Sequence, residues 1–192
     1  MLLHLLLAAR AHAPALPPLY ALHVNHQLQP AADDWQRSCE QLCQRLALPL
    51  HCERVRVTPD GRGLEAAARE ARHAVFARCL GEGEVLFTAH HQDDQVETFF
   101  LRLLRGAGLE GLSAMAATRP LGRGLLHRPL LGVPRARLQA LARQGGLEVI
   151  DDPSNADTAL DRNYLRAQVL PLLERRWPGY RATVSRAGEH LA

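Results

Sequence analysis

The segment that decides the fold is EVLFTAHHQDDQVETFFLRLL, residues 84–104. Its first six residues form a short apolar run, which is typical of a buried strand. From Gln92 onward, apolar residues recur at the spacing of one helix face, namely at Val96, Phe99, Phe100, Leu103 and Leu104. A buried strand that runs directly into an amphipathic helix predicts one repeating unit of an α/β fold.

The same alternation occurs twice upstream of this segment. Strands are predicted at residues 19–24 and 50–57, and helices at residues 31–46 and 64–80. The repetition predicts an α/β, Rossmann-like fold, in which a parallel sheet carries helices on both faces. Ligands of such sheets bind beyond the carboxyl ends of the strands, so the residues that follow Val24 and Ala89 are candidates for a site.

The pattern changes after Gly106. Residues 119–132 are rich in Gly and Pro, and a short strand is expected at 125–127. Further helices are expected over residues 134–144, 163–176 and 180–191. We therefore predict an α/β domain over residues 1–132 and a small helical extension over residues 133–192.

Composition narrows the classes of protein to consider. No apolar run approaches the roughly 20 residues that a membrane-spanning helix needs, so no membrane partner is expected. The net charge is +3, and its 23 basic residues are all Arg. Arginine suits a phosphate partner, although a GC-rich genome would also supply it. The four cysteines include no C-x2-C pair, which argues against a metal site. Nothing in the sequence demands disulfides between them, which fits a reducing cytoplasm.

The densest polar cluster follows the strand at residues 84–89. His90 and His91 end the strand, Asp93 and Asp94 begin the helix, and Glu97 lies one turn further along the same face. Helix capping would require only one of these acids. Clustered carboxylates at a sheet edge are suited to hold Mg²⁺ against nucleotide phosphates, and histidines can donate to a phosphate or a leaving group. We predict that these five residues form a catalytic site.

Polar residues elsewhere are weaker candidates. His23, Asn25 and His26 lie where the first strand ends, and the residues alone favour a role in capping that end. Arg69 and Arg72 lie on the polar face of a helix.

Further along the chain, Arg102 and Arg105 end the helix that carries the acids, where the helix dipole alone would favour them. Arg162 and Arg166 are four residues apart, so both could meet one phosphate backbone. Asn155 either serves a site or closes a turn.

Together these motifs resemble the tRNA(Ile)-lysidine synthase family of PP-loop ATP pyrophosphatases. The matching segments are HVNH (23–26), EAAAREAR (65–72), AHHQDDQVET (89–98), RGAGLEGL (105–112), RPLL (128–131), DPSN (152–155) and RNYLR (162–166). They follow the order of the family and span most of the chain. The AHHxDDxxET block combined with RGxGxxGL is the specific part of the resemblance.

The resemblance implies an activity. Family members use ATP to adenylate the wobble cytidine of an isoleucine tRNA with a CAU anticodon, and lysine then displaces AMP to give lysidine. ATP and Mg²⁺ are therefore the implied cofactors. The implied partners are this tRNA and L-lysine, a homodimer is also considered, and a cytoplasmic location is expected.

The resemblance also implies roles for individual residues. Asp93, Asp94 and Glu97 would hold Mg²⁺, and His90 and His91 would face the phosphates. The residues implied on the ATP side are His23, Asn25, His26, Arg69, Arg72 and Arg105. The residues implied on the tRNA side are Arg128, Asn155, Arg162, Asn163 and Arg166.

The sequence departs from the family pattern at its start. The SGGxDS loop that wraps the ATP phosphates does not occur, and MLLHLLLAARAHA (1–13) matches the helix that follows that loop. We favour this interpretation over a signal peptide because no basic residue precedes the apolar run. We expect this chain alone to be inactive and a full-length protein to be active. A tRNA-thiolating PP-loop enzyme and a non-catalytic tRNA-binding relative stay open as alternatives.

Overall fold

The computed structural model describes residues 1–58, 61, 63–150 and 152–191. The helices are α1 (Leu2–His12), α2 (Ala32–Arg45), α3 (Leu64–Cys79), α4 (Gln92–Leu104), α5 (Leu109–Leu112), α6 (Arg135–Gln144), α7 (Asp161–Tyr164), α8 (Leu170–Arg176) and α9 (Tyr180–His190). The strands are β1 (Ala21–Asn25), β2 (Leu50–Arg54), β3 (Val85–Phe87), β4 (Thr118–Leu121) and β5 (Gly124–His127).

The predicted α/β class is confirmed by the first half of the chain. Strands β1 and β2 pair in parallel, with Ala21 opposite Leu50, and α2 connects them. Residues of β2 alternate between two helices, as the pleat requires. Cys52 approaches Glu40 of α2, whereas Glu53 accepts a hydrogen bond from the guanidinium of an α3 arginine. Helices thus cover both faces of this sheet.

The elements divide into two compact units. The N-terminal unit comprises Leu2–Leu86 and Pro120–Leu125, and the C-terminal unit comprises Phe87–Arg119 and Leu126–Ala192 together with Met1. The domain boundary that we predict after residue 132 does not coincide with the division into these two units, and it stays a prediction.

The core of the C-terminal unit joins helices that are far apart in the sequence. Val96 of α4, Leu170 of α8 and Tyr180 of α9 form its buried cluster, with Phe100, Leu173 and Val184 packed around them. Val96 belongs to the apolar stripe predicted for residues 92–104, and the observed α4 has those bounds. Burial of this stripe holds the start of α4 against α8 and α9.

Several elements differ from the prediction. The strand expected at residues 84–89 is only three residues long, and just beyond it the backbone N–H of Thr88 donates to the His127 carbonyl at 3.0 Å. Strand β4 lies in the Gly- and Pro-rich stretch and was not predicted; it forms a sheet in the order β3-β5-β4. The helix expected at 163–176 begins at Asp161 and contains a π-helical turn over Leu165–Val169.

None of the helices among the described residues is long and apolar enough to span a membrane.

Candidate active site at the start of helix α4

The first turn of α4 uses one of its two aspartates as a cap. The backbone N–H of His91 donates to Asp94 Oδ2 at 2.9 Å. Nδ1 of His91 lies 3.4 Å from Asp94 Oδ2 and 3.9 Å from Asp93 Oδ2. His90 lies one residue earlier, where its Nδ1 is 2.9 Å from Thr88 Oγ1. The capping interpretation is therefore correct for Asp94, and the other acids need a different explanation.

Glu97 is the most buried acid of the cluster and is neutralised by arginine. Only 1% of its surface is exposed. Arg166 donates from Nε and Nη2 to its two carboxylate oxygens, at 2.8 and 2.9 Å, and Nε of Arg162 lies 3.8 Å away. The hydrogen bond to Glu97 raises the pKa of Arg166. A paired fork of this kind fixes both side chains, so it ties the segment after α7 to the middle of α4.

Asp93 binds a second arginine that sequence reasoning missed. Arg181 Nε donates to Asp93 Oδ1 at 2.8 Å and Arg181 also pairs with Glu174. The backbone N–H of Arg135, at the start of α6, donates to Asp93 Oδ2 at 2.8 Å. These partners lie 42 to 88 residues from Asp93, so no local spacing could have indicated them.

The ion pairs Glu97–Arg166 and Asp93–Arg181 line a cavity of about 440 Å³ within the C-terminal unit. Its walls are Asp93, Glu97, Pro134, Arg135, Ala136, Gln139, Arg166, Leu170, Pro171 and Arg181. The cavity therefore presents carboxylates and guanidinium groups side by side, with apolar walls from the helix starts. Its size is in the range that small-molecule ligands occupy.

The three acids do not form a ready cation site in this arrangement. Both oxygens of Glu97 and both oxygens of Asp93 accept hydrogen bonds, and one oxygen of Asp94 caps α4. Among the described residues, these acids do not supply three ligand atoms within 4.8 Å of one another. The residues as arranged do not fit Mg²⁺.

Tyr180 lies beside these acids in an unusual environment. It is 6% exposed, and its hydroxyl has no hydrogen-bond partner among the described residues. The Arg181 guanidinium lies 4.8 Å from the centre of its ring, a cation–π contact. Burial, followed by the negative charges of Asp93 and Glu97, raises the pKa of Tyr180 to about 12.

This raised pKa predicts a loss of stability at alkaline pH. An unfolded tyrosine ionises near pH 10, whereas the folded Tyr180 stays protonated until about pH 12. Its contribution to the unfolding free energy is thus complete below pH 10 and is lost as the pH rises to 12. We expect Tyr180→Phe to reduce this loss in urea unfolding at pH 9 and 11. An unchanged difference between the two pH values would contradict the expectation.

The predicted ATP-side residues fall into two groups. His23, Asn25 and His26 lie at the carboxyl end of β1, in the N-terminal unit. Burial lowers the pKa of His26, and the charges of Arg72 and His23 lower it further. The side chains of His23, His26 and Arg72 are therefore neighbours. Burial also lowers the pKa of His23. Both histidines are therefore neutral at physiological pH.

Asn25 organises this strand end. It is 2% exposed and donates to Asp33 Oδ1 at 2.9 Å and to Gln36 Oε1 at 3.0 Å. Its own Oδ1 accepts from the backbone N–H of Gln27 at 2.9 Å. Capping of the strand end, the interpretation favoured by these residues alone, accounts for Asn25. His23 Nε2 and His26 Nδ1 are buried and have no hydrogen-bond partner among the described residues.

The other predicted residues are dispersed. Arg69 lies one turn before Arg72 on α3. Arg105 pairs with Asp161 at 3.0 Å on the surface of the C-terminal unit. Arg128, 4% exposed, donates to the Ala116 carbonyl at 2.6 Å and is a buried structural group in this arrangement.

Asn155 lies in the loop that precedes α7, Asn163 lies in α7 itself, and the two differ in burial. Asn155 is exposed, whereas Asn163 is 7% exposed and donates to the carbonyls of Ser154 at 2.8 Å and Asp157 at 2.9 Å. The side chain of Asn163 therefore holds the loop against α7.

We expect Asn163→Ala to loosen this loop. The carbonyls of Ser154 and Asp157 would each lose one of their two donors, at a cost of about 1 kcal/mol in unfolding free energy. Limited proteolysis should then cut residues 152–160 faster than in the wild type. Asn155→Ala is the control, and equal cleavage of the two variants would refute the assignment.

The comparison with known families matches almost the whole chain. A model of the PP-loop domain matches residues 1–173. The chain belongs to the PP-loop family. Assignment to this family agrees with the parallel β1–β2 pair and with polar residues at the carboxyl end of β1 and after β3.

Two similar proteins have the same name. The tRNA(Ile)-lysidine synthase of Pseudomonas aeruginosa is 53% identical over 191 residues, which cover 100% of this chain and 43% of the relative. The enzyme of the same name from Coxiella burnetii is 48% identical and covers 98% of this chain and 43% of the relative. The chain thus spans less than half the length of these relatives.

Among solved structures, a tRNA thiolase shares the fold. The U34-tRNA thiolase of Methanococcus maripaludis, solved with its [4Fe-4S] cluster, aligns with a TM-score of 0.76. The alignment covers 97% of this chain and 67% of the thiolase, at 16% identity. This likeness confirms the Rossmann-like α/β architecture.

Proposed function

We propose that this chain is the catalytic part of an enzyme that uses ATP to join lysine to the wobble cytidine of an isoleucine tRNA with a CAU anticodon. The reaction passes through an adenylated cytidine, and lysine displaces AMP to give lysidine. Identity of about 50% along the whole chain to proteins named tRNA(Ile)-lysidine synthase supports the proposal.

The observation that carries this proposal is the mixed charge of the α4 cavity. A free amino acid has a carboxylate at one end and at least one ammonium group, and lysine has two. Arg166 and Arg181 present the planar fork that recognises a carboxylate. Asp93 and Glu97 are the acceptors that ammonium groups need.

Binding of lysine in this cavity requires an exchange of partners. Each lysine ammonium would replace an arginine donor on Asp93 or Glu97, and a released guanidinium would take the lysine carboxylate. Arg166 would take the lysine carboxylate and Arg181 would keep its pair with Glu174, so that no buried ion is left isolated and its desolvation cost is avoided. The resemblance places Arg166 on the tRNA side. In this proposal Arg166 binds lysine instead.

The ATP side of the reaction is assigned to the β1 strand end. His23 and His26 are neutral and have ring nitrogens without a partner among the described residues, so they can donate to or accept from a nucleotide. Arg72, next to His26, supplies a positive charge. The use of Mg²⁺ as a cofactor, a homodimer and a cytoplasmic location stay predictions.

The thiols of this chain favour ligation over the thiolation alternative. Burial raises the pKa of Cys39, Cys43 and Cys52, so these groups are protonated at neutral pH. A reactive cysteine requires a lowered pKa. An iron–sulfur absorbance band in the purified chain would instead support thiolation.

Replacement of the corresponding region in the Pseudomonas aeruginosa relative tests the proposal. The chimaera contains this chain in place of the matching 191 residues, and labelled lysine is followed into a CAU transcript of tRNA(Ile). We expect incorporation that requires ATP and is absent when the wobble cytidine is replaced. A chimaera that unfolds at the temperature of the relative but transfers no lysine would overturn the proposal.

Variants of the chimaera separate the two half-reactions. Asp93→Asn should raise the KM for lysine about tenfold, as expected for one charge-assisted hydrogen bond, and leave AMP transfer to tRNA intact. Asp34→Asn, on the surface of α2, is the control. The 192-residue chain by itself, which has no SGGxDS motif, is expected to show no saturable ATP binding by calorimetry at micromolar concentrations.

A further inference from the structure

The N-terminal unit contains three metal-ligating side chains that the proposed reaction does not use. His51 and Glu53 are two residues apart on β2, so they project from the same face of the strand. Cys79 is the last residue of α3. One ligand atom from each residue lies within 4.8 Å of the other two. We propose that His51, Glu53 and Cys79 bind one Zn²⁺ ion.

The donor set is the main chemical argument. An imidazole nitrogen, a carboxylate oxygen and a thiolate sulfur are the three ligand types that Zn²⁺ takes in proteins. Thiolate and carboxylate together balance the double positive charge. With bonds of about 2.0–2.3 Å, tetrahedral donors lie roughly 3.5 Å apart, so the side chains need to close by about 1 Å. Because the His51 side chain is 53% exposed, it can rotate by this amount.

Glu53 is already oriented for this role. His51 Nε2 lies 2.9 Å from Glu53 Oε1, and Arg78 Nη2 donates to Glu53 Oε2 at 2.6 Å. An ion can therefore take the place of the His51–Glu53 hydrogen bond while Arg78 keeps its oxygen. Such an outer partner orients a ligating carboxylate.

The three side chains would occupy three of the four tetrahedral positions of the ion. Water would occupy the fourth, as in other sites with three protein ligands. The ion would connect β2 to the end of α3, two elements that the Glu53–Arg78 ion pair already joins at this point. Its role is then to stabilise the N-terminal unit. Nothing in this role depends on the reaction proposed above.

Cobalt titration of the EDTA-treated chain is the direct test. Co²⁺ replaces Zn²⁺ in such sites and gives a thiolate-to-metal charge-transfer band. We expect one Co²⁺ per chain, displacement by Zn²⁺, and a higher thermal unfolding midpoint with Zn²⁺. Cys79→Ser should abolish the band, and His51→Ala should weaken binding about tenfold or more. Cys52→Ser is the matched control, because Cys52 lies on the opposite face of the same strand.

Two results would overturn the proposal. One is a wild-type chain that shows neither the band nor a Zn²⁺-dependent shift of the unfolding midpoint. The other is a band that persists in Cys79→Ser and disappears in Cys52→Ser. Far-UV circular dichroism establishes that each variant is folded. If Cys79→Ser is not folded, His51→Ala decides the test, since its exposed side chain is not needed for packing.

Discussion

Glu97→Gln is expected to lower the unfolding free energy of the C-terminal unit by about 3 kcal/mol, at the lower end of the cost of breaking a buried ion pair. Glu97 is 1% exposed, and both of its oxygens are bonded to Arg166. Glutamine keeps the volume and one acceptor but leaves the guanidinium charge without compensation. The cost therefore arises from the charge left behind and not from a cavity.

Tryptophan fluorescence allows this measurement to be confined to one unit. The chain has two tryptophans, and Trp177 lies in the C-terminal unit while Trp35 lies in the N-terminal unit. Urea unfolding in a Trp35→Phe background therefore reports on the unit that contains Glu97.

The control for Glu97→Gln is an exposed ion pair. Asp34 pairs with Arg37, and both side chains are more than 60% exposed. Asp34→Asn should change stability by no more than about 0.5 kcal/mol, because solvent screens such pairs. The combined change of Glu97 and Arg166 to Met should recover much of the loss. A Glu97→Gln variant as stable as the wild type would show that the pair contributes little to the unit.

Gly122→Ala is expected to destabilise the N-terminal unit by about 3 kcal/mol, the sum of backbone strain and overpacking. Gly122 lies in the turn between β4 and β5 with a φ of +57°. A Cβ at this position would lie 2.0 Å from the carbonyl oxygen of Ala77 in α3. The clash is with backbone, so no side-chain rotation can relieve it.

A second glycine provides the control for Gly122→Ala. A Cβ on Gly132 would meet nothing within 4 Å, and its φ is not in the left-handed region. Gly132→Ala should therefore change stability by no more than about 0.5 kcal/mol. Urea unfolding in a Trp177→Phe background reports on the N-terminal unit through Trp35. Equal midpoints for the two variants would disprove the close approach of the turn to α3.

Much of the fold follows from local patterns in the sequence. The bounds of α4 are those predicted from its apolar stripe, because the spacing of Val96 and its neighbours is a property of the helix itself. Strands β1 and β2 were also predicted, since each is a short apolar or alternating run. Strand β4 was missed, because its sequence TRPL has no strand pattern and pairs only through β5.

The candidate site was predicted in part. The sequence indicated Asp93, Asp94 and Glu97 as a cluster, because they occur within five residues at the start of one helix. It could not indicate which of them caps α4 and which binds arginine. Arg181 was missed altogether, since nothing in its own helix distinguishes it from other surface arginines.

By itself, therefore, the sequence determined the α/β class, the main elements of the sheet region and the segments that carry polar groups. These depend on periodicity within about 20 residues. Only the tertiary structure decided the charge partners: Arg166 meets Glu97 across 69 residues, and Arg181 meets Asp93 across 88 residues. Those contacts exist because Val96, Leu170 and Tyr180 pack together, and such packing depends on the whole chain and not on any one segment of it.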